Sequence, residues 1–367
     1  MLETLKAVMS NSQLWGAILS TILIVALGFT LVKIKVFKAE WKGVLNAIVL
    51  KVALPALAIS GFMKTATIKE LQEQGVVLGI SVAFYAILCL IAFVWVNYSN
   101  KKVSSKITDN SIVQTIGGEN VSQGKALVIW MMLIFGSTTF FGLPIIKSVY
   151  NSGVAAANIW SIPYRVFLYS YCFMLMAGLK FDRANITKSL KTALLNPIVI
   201  ATFVGLVCYL SGLIPAKFFQ GANEKGKIVA WFDLSVTAPW LHKPFTYLSG
   251  LASPLVWLSI GMTLATSNLA SAAKNKWVWI FAVLKLVALP AMVFGVFWAL
   301  NAGALVTKAV AASMVIFAAV PPATVVIAYA MQYKNNEQFA AECSALTTLL
   351  AIVAIPFWIF LCEVAFR

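Results

Sequence analysis

Phe141-Gly142-Leu143-Pro144 and Val320-Pro321-Pro322-Ala323 each interrupt an apolar stretch that would otherwise run as an unbroken helix, one in each half of the chain. Proline deletes a backbone donor and its ring collides with the preceding turn, so a helix kinks or stops there. Lipid offers nothing to the backbone groups this frees, so such a break persists only where it packs in protein or lines a wet cavity. Interrupted hydrophobic segments at matching places in two halves are the sequence pattern of a carrier's binding site.

Composition fixes the class in which these breaks are read. Hydrophobic residues make up 61% of the 367 positions and charged residues 11%, with a mean hydropathy of +0.90. Soluble domains carry roughly 25% charge, so the chain is a polytopic membrane protein. The start, Met1-Leu2-Glu3-Thr4-Leu5-Lys6, leads into a span too long for a signal-peptide core, with no small-residue cleavage site after it. The five cysteines (Cys89, Cys172, Cys208, Cys343 and Cys362) all lie in or at the ends of apolar spans and read as small hydrophobes. One histidine, His242 in a loop, leaves little for His-based catalysis or metal binding, and no cofactor or metal is expected. The net charge of +16 is assigned to span ends facing anionic lipid and to an anionic substrate, with nucleic acid not expected as a partner.

The hydropathy reads as ten spans of about 20 residues each, at 14–32, 44–63, 76–96, 126–148, 154–179, 193–213, 246–264, 277–300, 309–331 and 339–361. An even number puts both termini on one side. One side then carries fifteen Lys and Arg and the other ten. The richer side is cytoplasmic by the positive-inside rule, which makes both termini extracytoplasmic in a multi-pass cell-membrane protein. Lys51, Arg165 and Lys285 lie inside spans. The loop 215–245 holds Trp231, Phe232 and Trp240 and is expected at the outer interface. The loop 97–124, with Gly117-Gly118, is expected to be a structureless connector. There is no Walker A pattern for ATP-driven transport.

The halves resemble each other. Leu5-Lys6 with Asn11 matches Leu190-Lys191 with Asn196 at equal spacing. Pro55, Ser60 and Met63 match Pro254, Ser259 and Met262, and Asn151 with Ala156-Ala157-Asn158 matches Asn335 with Ala340-Ala341-Glu342. Five spans per half is odd, so the second half enters the membrane inverted. The expected fold is all-α, with repeats at 1–180 and 181–367 whose broken helices four and nine cross at the midplane.

Four groups of residues are candidates for the chemistry. Arg165 lies near the middle of span five, where a charge demands a partner or a cavity. It either clamps a substrate carboxylate with its planar fork or pairs with Glu342, the one acid inside a span. Lys51 and Lys285 sit about 11 Å in from the cytoplasmic ends of their spans. They either snorkel or stand as fixed cations near the crossing. At the breaks, Ser137, Thr138, Thr139 and Thr324 offer hydroxyls, and the half-helices opening near Gly142-Pro144 and Pro321-Pro322 offer N–H groups and a positive dipole end. Asn158 and Glu342 hold matching places in the repeat and are candidates to support the crossing or to pass protons; a plain interhelical hydrogen bond is the alternative. Pro55, Pro254, Pro290 and Pro356 read as kinks.

With these motifs the chain resembles the auxin efflux carrier family, above all its bacterial malate permease branch. The resemblance covers nearly the whole chain and rests on Leu50-Lys51-Val52-Ala53-Leu54-Pro55-Ala56-Leu57, Phe141-Gly142-Leu143-Pro144, Asn196-Pro197, Ala252-Ser253-Pro254-Leu255 with Gly261, and Val320-Pro321-Pro322-Ala323. It implies two inverted five-helix repeats and elevator-like movement of an organic anion without ATP. The family often has Asn where this chain has Ser137 and Lys51, which favours a small, highly charged anion over an auxin-like weak acid. The expected function is therefore a secondary carrier of malate or a similar carboxylate, by uniport or proton coupling, working alone or as a homodimer. An anion channel on the same breaks is the competing reading. A membrane enzyme is disfavoured, since the spans hold no paired carboxylates and no Ser/His pair.

Cysteine labelling tests the orientation. In a Cys-less background, Leu2→Cys should react with an impermeant reagent from outside while Lys106→Cys is protected; the reverse pattern inverts the topology.

Overall fold

The computed structural model describes residues 12–65, 67–107, 121–179, 183–214, 220–222 and 228–366. The termini, Leu5-Lys6 with Asn11 of the first repeat match, and Gly117-Gly118 lie outside the described residues. The chain is almost wholly helical: α1 Ser12–Lys33, α2 Trp41–Ser60, α3 Ile68–Ile107, α4 Val121–Ile134, α5 Leu143–Val149, α6 Val154–Phe167, α7 Arg183–Leu194 and α8 Pro197–Ser211. A two-stranded hairpin follows, β1 Gln220–Ala222 and β2 Ile228–Ala230. The rest is α9 Leu234–Thr237, α10 Pro239–Thr266, α11 Leu269–Lys274, α12 Lys276–Ala302, α13 Lys308–Ala319, α14 Thr324–Gln332 and α15 Glu337–Ala365.

Among the described residues, five helices are long and apolar enough to cross a bilayer: α2, the Ile68–Val96 part of α3, α10, α12 and α15. Five shorter apolar segments, Leu19–Lys33, Lys125–Ile134, Thr138–Val149, Pro197–Ser211 and Lys308–Ala319, fall on others of the expected spans. Three expectations need correction. The loop 97–124 is not structureless throughout, because α3 continues to Ile107. The seventh span begins at Pro239 rather than 246, with proline at a position that needs no backbone donor. The fold is not strictly all-α, because β1 and β2 pair antiparallel in the 215–245 connection. That hairpin is pinned to the turn before α3: the Ala230 N–H donates to Thr65 Oγ1 at 3.2 Å, and the Thr65 N–H and hydroxyl both donate to Asp233 Oδ2 at 3.1 and 3.0 Å.

Leu-Pro pairs shape the long helices. Leu54-Pro55, Leu143-Pro144 and Leu289-Pro290 each directly follow a π-helical turn, at Val49–Ala53, Thr138–Gly142 and Leu284–Ala288. Widening the turn relieves the clash between the proline ring and the carbonyl one turn back, so the helix bends without ending. The expected kinks at Pro55 and Pro290 take this form, while Pro356 sits inside a continuous α15.

Packing sorts the helices into two groups, and each draws on both halves of the chain. α1 lies along the second half of α10, while α2 packs on α8 and on the first half of α10. The other group joins α3 to α4 and α6, α12 to α13, and α15 to α12 and α13. Polar contacts bridge the groups. Asn158 Nδ2 on α6 donates to Ala58 O on α2 at 3.2 Å, and Tyr209 on α8 donates to Glu70 Oε2 on α3 at 3.1 Å, where Lys64 also reaches Glu70 at 2.6 Å.

The α1–α10 contact depends on two glycines that let the backbones touch. A Cβ on Gly261 would lie 2.0 Å from Val25 O, and one on Gly28 would lie 2.3 Å from Leu258 O. Small residues at such crossings are the usual device for close helix approach in membranes. Gly261→Ala should therefore lower stability by about 1–3 kcal/mol, the scale of overpacking. Gly250→Ala, whose Cβ meets open space, should leave the unfolding temperature of the purified protein unchanged.

Candidate functional site

The two interrupted segments meet. After α4 the chain leaves the helix at Phe135-Gly136-Ser137, and after α13 it runs extended through Val320-Pro321-Pro322-Ala323. Gly136 and Pro322 form an antiparallel bridge. Ser137 N–H donates to Pro321 O at 2.7 Å and Ala323 N–H donates to Phe135 O at 2.9 Å. Each broken segment thus satisfies groups that the other exposes, which matters where an unpaired backbone group costs several kcal/mol. The break in the first half is displaced from its expected place. It falls at Gly136-Ser137 rather than near Pro144, which lies in the first turn of α5, because the Leu-Pro clash is absorbed by the π turn. Glycines allow the close approach: a Cβ on Gly136 would come 2.7 Å from Val320 Cγ2, and one on Gly142 would come 2.7 Å from Phe317 Cδ1.

A cavity of about 670 Å³ lies on one side of the crossing. Ser137, Pro321, Pro322, Thr324 and Glu342, all candidates in the sequence, are among the residues that line it. Thr324 opens α14 and the π turn after Ser137 leads into α5, so two helix N-termini are directed to the crossing. The cavity extends to the ends of four helices, at Lys42, Thr266, Met331 and Gln338. Among the described residues, no three His, Cys, Asp or Glu side chains gather as a metal site would require.

The interior cations lie elsewhere. Arg165 is 2% exposed and sits behind the π turn, where it donates to Thr139 Oγ1 at 3.4 Å and to Thr202 Oγ1 at 3.5 Å. It does not pair with Glu342, whose partners are Ser271, Asn275 and Gln338. It does not line the cavity either, so the clamp read from the sequence is not assembled in this conformation. Lys285 is 1% exposed and donates to Leu133 O at 2.8 Å, one of the carbonyls left open where α4 ends. It shares a small void with Thr138, Tyr85, Trp160 and Phe317 on the far side of the crossing. Tyr164 braces the same break by donating to Gly136 O at 2.7 Å. Lys51 is exposed on its π turn, away from the crossing, because the widened turn rotates it off the packed face. Asn158 is fully buried and serves the α6–α2 contact.

The comparison with known proteins agrees with this architecture. Residues 14–117 and 120–359 match the membrane transport protein family. The chain belongs to that family. It is also 20% identical, over 93% of its own length and 96% of the relative's, to an uncharacterized transporter of the archaeon Methanothermobacter thermautotrophicus (strain Delta H).

Much of the polar wall of this transport protein's cavity comes from residues outside the breaks. α10 contributes Ser259 and Thr263, with Ser267 just past its end, and α15 contributes Gln338 and Thr348 beside the candidate Glu342. Ser259 also donates to Asn46 Oδ1 on α2 at 2.6 Å, joining two walls. Their mark in the sequence is spacing: residues four apart, as in Ser259-Thr263 and Gln338-Glu342, fall on one helix face.

Ala323→Pro isolates the crossing. Ala323 already has φ −63°, the value proline requires, so the change removes the donor to Phe135 O while leaving that torsion in place. The variant should lose about 1–3 kcal/mol, the cost of a buried group left unpaired, and should lose transport. A parental unfolding temperature would show that the crossing hydrogen bond contributes nothing.

Proposed function

We propose that this chain is a secondary carrier for a small organic carboxylate, malate-like in size and charge, working by alternating access without ATP. The observation that carries the reading is the antiparallel crossing of the two broken segments beside a polar cavity. It is the arrangement in which a substrate meets free helix ends and hydroxyls at once. Ten crossings in two inverted repeats fit the helix order. The group holding α1, α2, α8 and α10 then acts as scaffold, and the group holding α3, α4, α6, α12, α13 and α15 moves against it.

The electrostatics favour an anion. Arg165 and Lys285 are buried on the far side of the crossing, with hydroxyl and carbonyl oxygens as their hydrogen-bond partners, and they place positive charge behind the cavity floor. With the cation-rich side cytoplasmic, Lys42 and Gln338 lie at the cytoplasmic end and the conformation is inward-open. A carrier is favoured over a channel because the cavity stops at the crossing, beyond which Tyr85, Phe135, Trp160 and Tyr164 pack ring against ring.

Counterflow in proteoliposomes tests this reading. Labelled malate should exchange saturably, without sodium, and a valinomycin-imposed potassium gradient should alter its flux; unsaturable conductance would identify a channel. Arg165 separates field from contact. A unit charge acting across ~10 Å at an effective dielectric of ~20 contributes about 1.5 kcal/mol, about tenfold in affinity. Arg165→Gln should weaken malate binding by that factor, and Arg165→Lys should restore it. If Lys fails as badly as Gln, the planar fork itself grips the carboxylate in another conformation.

A further inference from the structure

Glu342 stands at the helix-end side of the cavity, and its carboxylate is held by three neutral donors. Ser271 Oγ donates to Oε1 at 2.6 Å, Gln338 Nε2 to Oε1 at 3.2 Å and Asn275 Nδ2 to Oε2 at 3.0 Å. Lys125 adds positive charge through space while its ammonium lies over the Phe339 ring, 4.6 Å from the centroid. Ser271, Gln338 and Glu342 all line the cavity.

Two of these donors belong to residues held by contacts that do not involve Glu342. Asn275 Oδ1 accepts the Trp277 N–H at 3.1 Å as the N-cap of α12, which fixes the amide so that Nδ2 faces the carboxylate. The Ser271 N–H is held by Asn268 Oδ1 at 3.1 Å, the N-cap of α11. The Asn275 amide is therefore oriented by one helix cap, and the backbone that carries Ser271 is held by another, independently of the carboxylate. Glu342, near the start of α15, is itself 9% exposed and borders open cavity, so rotation about its side chain can withdraw it.

We propose that Ser271, Asn275 and Gln338 form a carboxylate-binding subsite of the cavity, filled by Glu342 when the carrier is empty and taken over by a carboxylate of the entering substrate. The inference rests on the reading of the cavity as an organic-anion site. It also resolves a conflict within that reading. Among the described residues, Glu342 is the one carboxylate lining the cavity and Lys42 the one ammonium, so an anion entering past a fixed Glu342 meets repulsion. Exchange of one carboxylate for another on the same neutral donors leaves no hydrogen bond unmade and frees Glu342 to turn towards water.

Acetate, the minimal carboxylate, is the probe, titrated against full-length protein in lipid nanodiscs with unfolding temperature as readout. Glu342→Ala removes the internal competitor and should bind acetate about tenfold more tightly than the parent, the scale of one charge-assisted hydrogen bond. Adding Ser271→Ala to that variant should abolish the gain. Should Glu342→Ala fail to fold, Glu342→Asp, which draws the carboxylate back by one methylene, should show the same direction. Unchanged or weaker acetate binding in the folded variant, or a gain that survives Ser271→Ala, overturns the proposal. If acetate binds more tightly but no carboxylate exchanges in counterflow, the subsite stands and the carrier reading falls.

Discussion

Backbone groups have no partner in hydrocarbon, and the centre of this protein is organised around that constraint. Two helices stop inside the apolar body of the molecule, and each supplies the hydrogen-bond partners the other lacks, through Ser137 to Pro321 and Ala323 to Phe135. The exchange accounts for the residues around it. Gly136 and Gly142 are small because the opposing strand and the Phe317 ring come too close for a side chain. Pro321 and Pro322 hold their segment extended, and Tyr164 and Lys285 take up further carbonyls at the end of α4.

The same constraint makes the crossing a place where a polar solute can be received. Hydroxyls and helix N-termini gathered to satisfy the backbone also face the cavity, and the proteins this chain groups with are membrane transport proteins. The two faces of the crossing differ in character. The cavity is hydroxyl-rich, with Lys42 and Glu342 as the charged residues among its described lining, whereas Lys285 shares a separate small void with the rings of Phe84, Tyr85, Trp160 and Phe317.

The two helix groups are held within and between themselves by contacts of different kinds. Their internal contacts are extensive and apolar, as at Gly28 and Gly261, while the bridges between them include separate polar contacts such as Asn158 to Ala58 and Tyr209 to Glu70. Hydrogen bonds of that kind break and re-form at low net cost, whereas a backbone-to-backbone packed interface does not slide. The connector Leu269–Lys274, which runs from one group to the other, carries Ser271 and leads to Asn275 beside Glu342, so the hydrogen bonds of that carboxylate lie where the groups are joined.

The sequence by itself determined the membrane class, the paired breaks and the residues on the cavity floor, because hydropathy and proline act locally and leave a mark on a few neighbouring positions. Ser137, Pro321, Pro322 and Thr324 were legible for that reason. Tertiary structure alone decided the rest. The offset of the first break from Pro144 to Gly136-Ser137 depends on a π turn that absorbs the proline clash, and Leu-Pro reads alike whether the helix bends or ends. Arg165 and Glu342 are both interior charges in the sequence, yet they have separate partners and only Glu342 lines the cavity. Which side a charge takes is set by how helices distant in the chain pack, and single-chain spacing does not encode that. The polar walls on α10 and α15 became a cavity only when two faces, each unremarkable alone, were brought together across the fold.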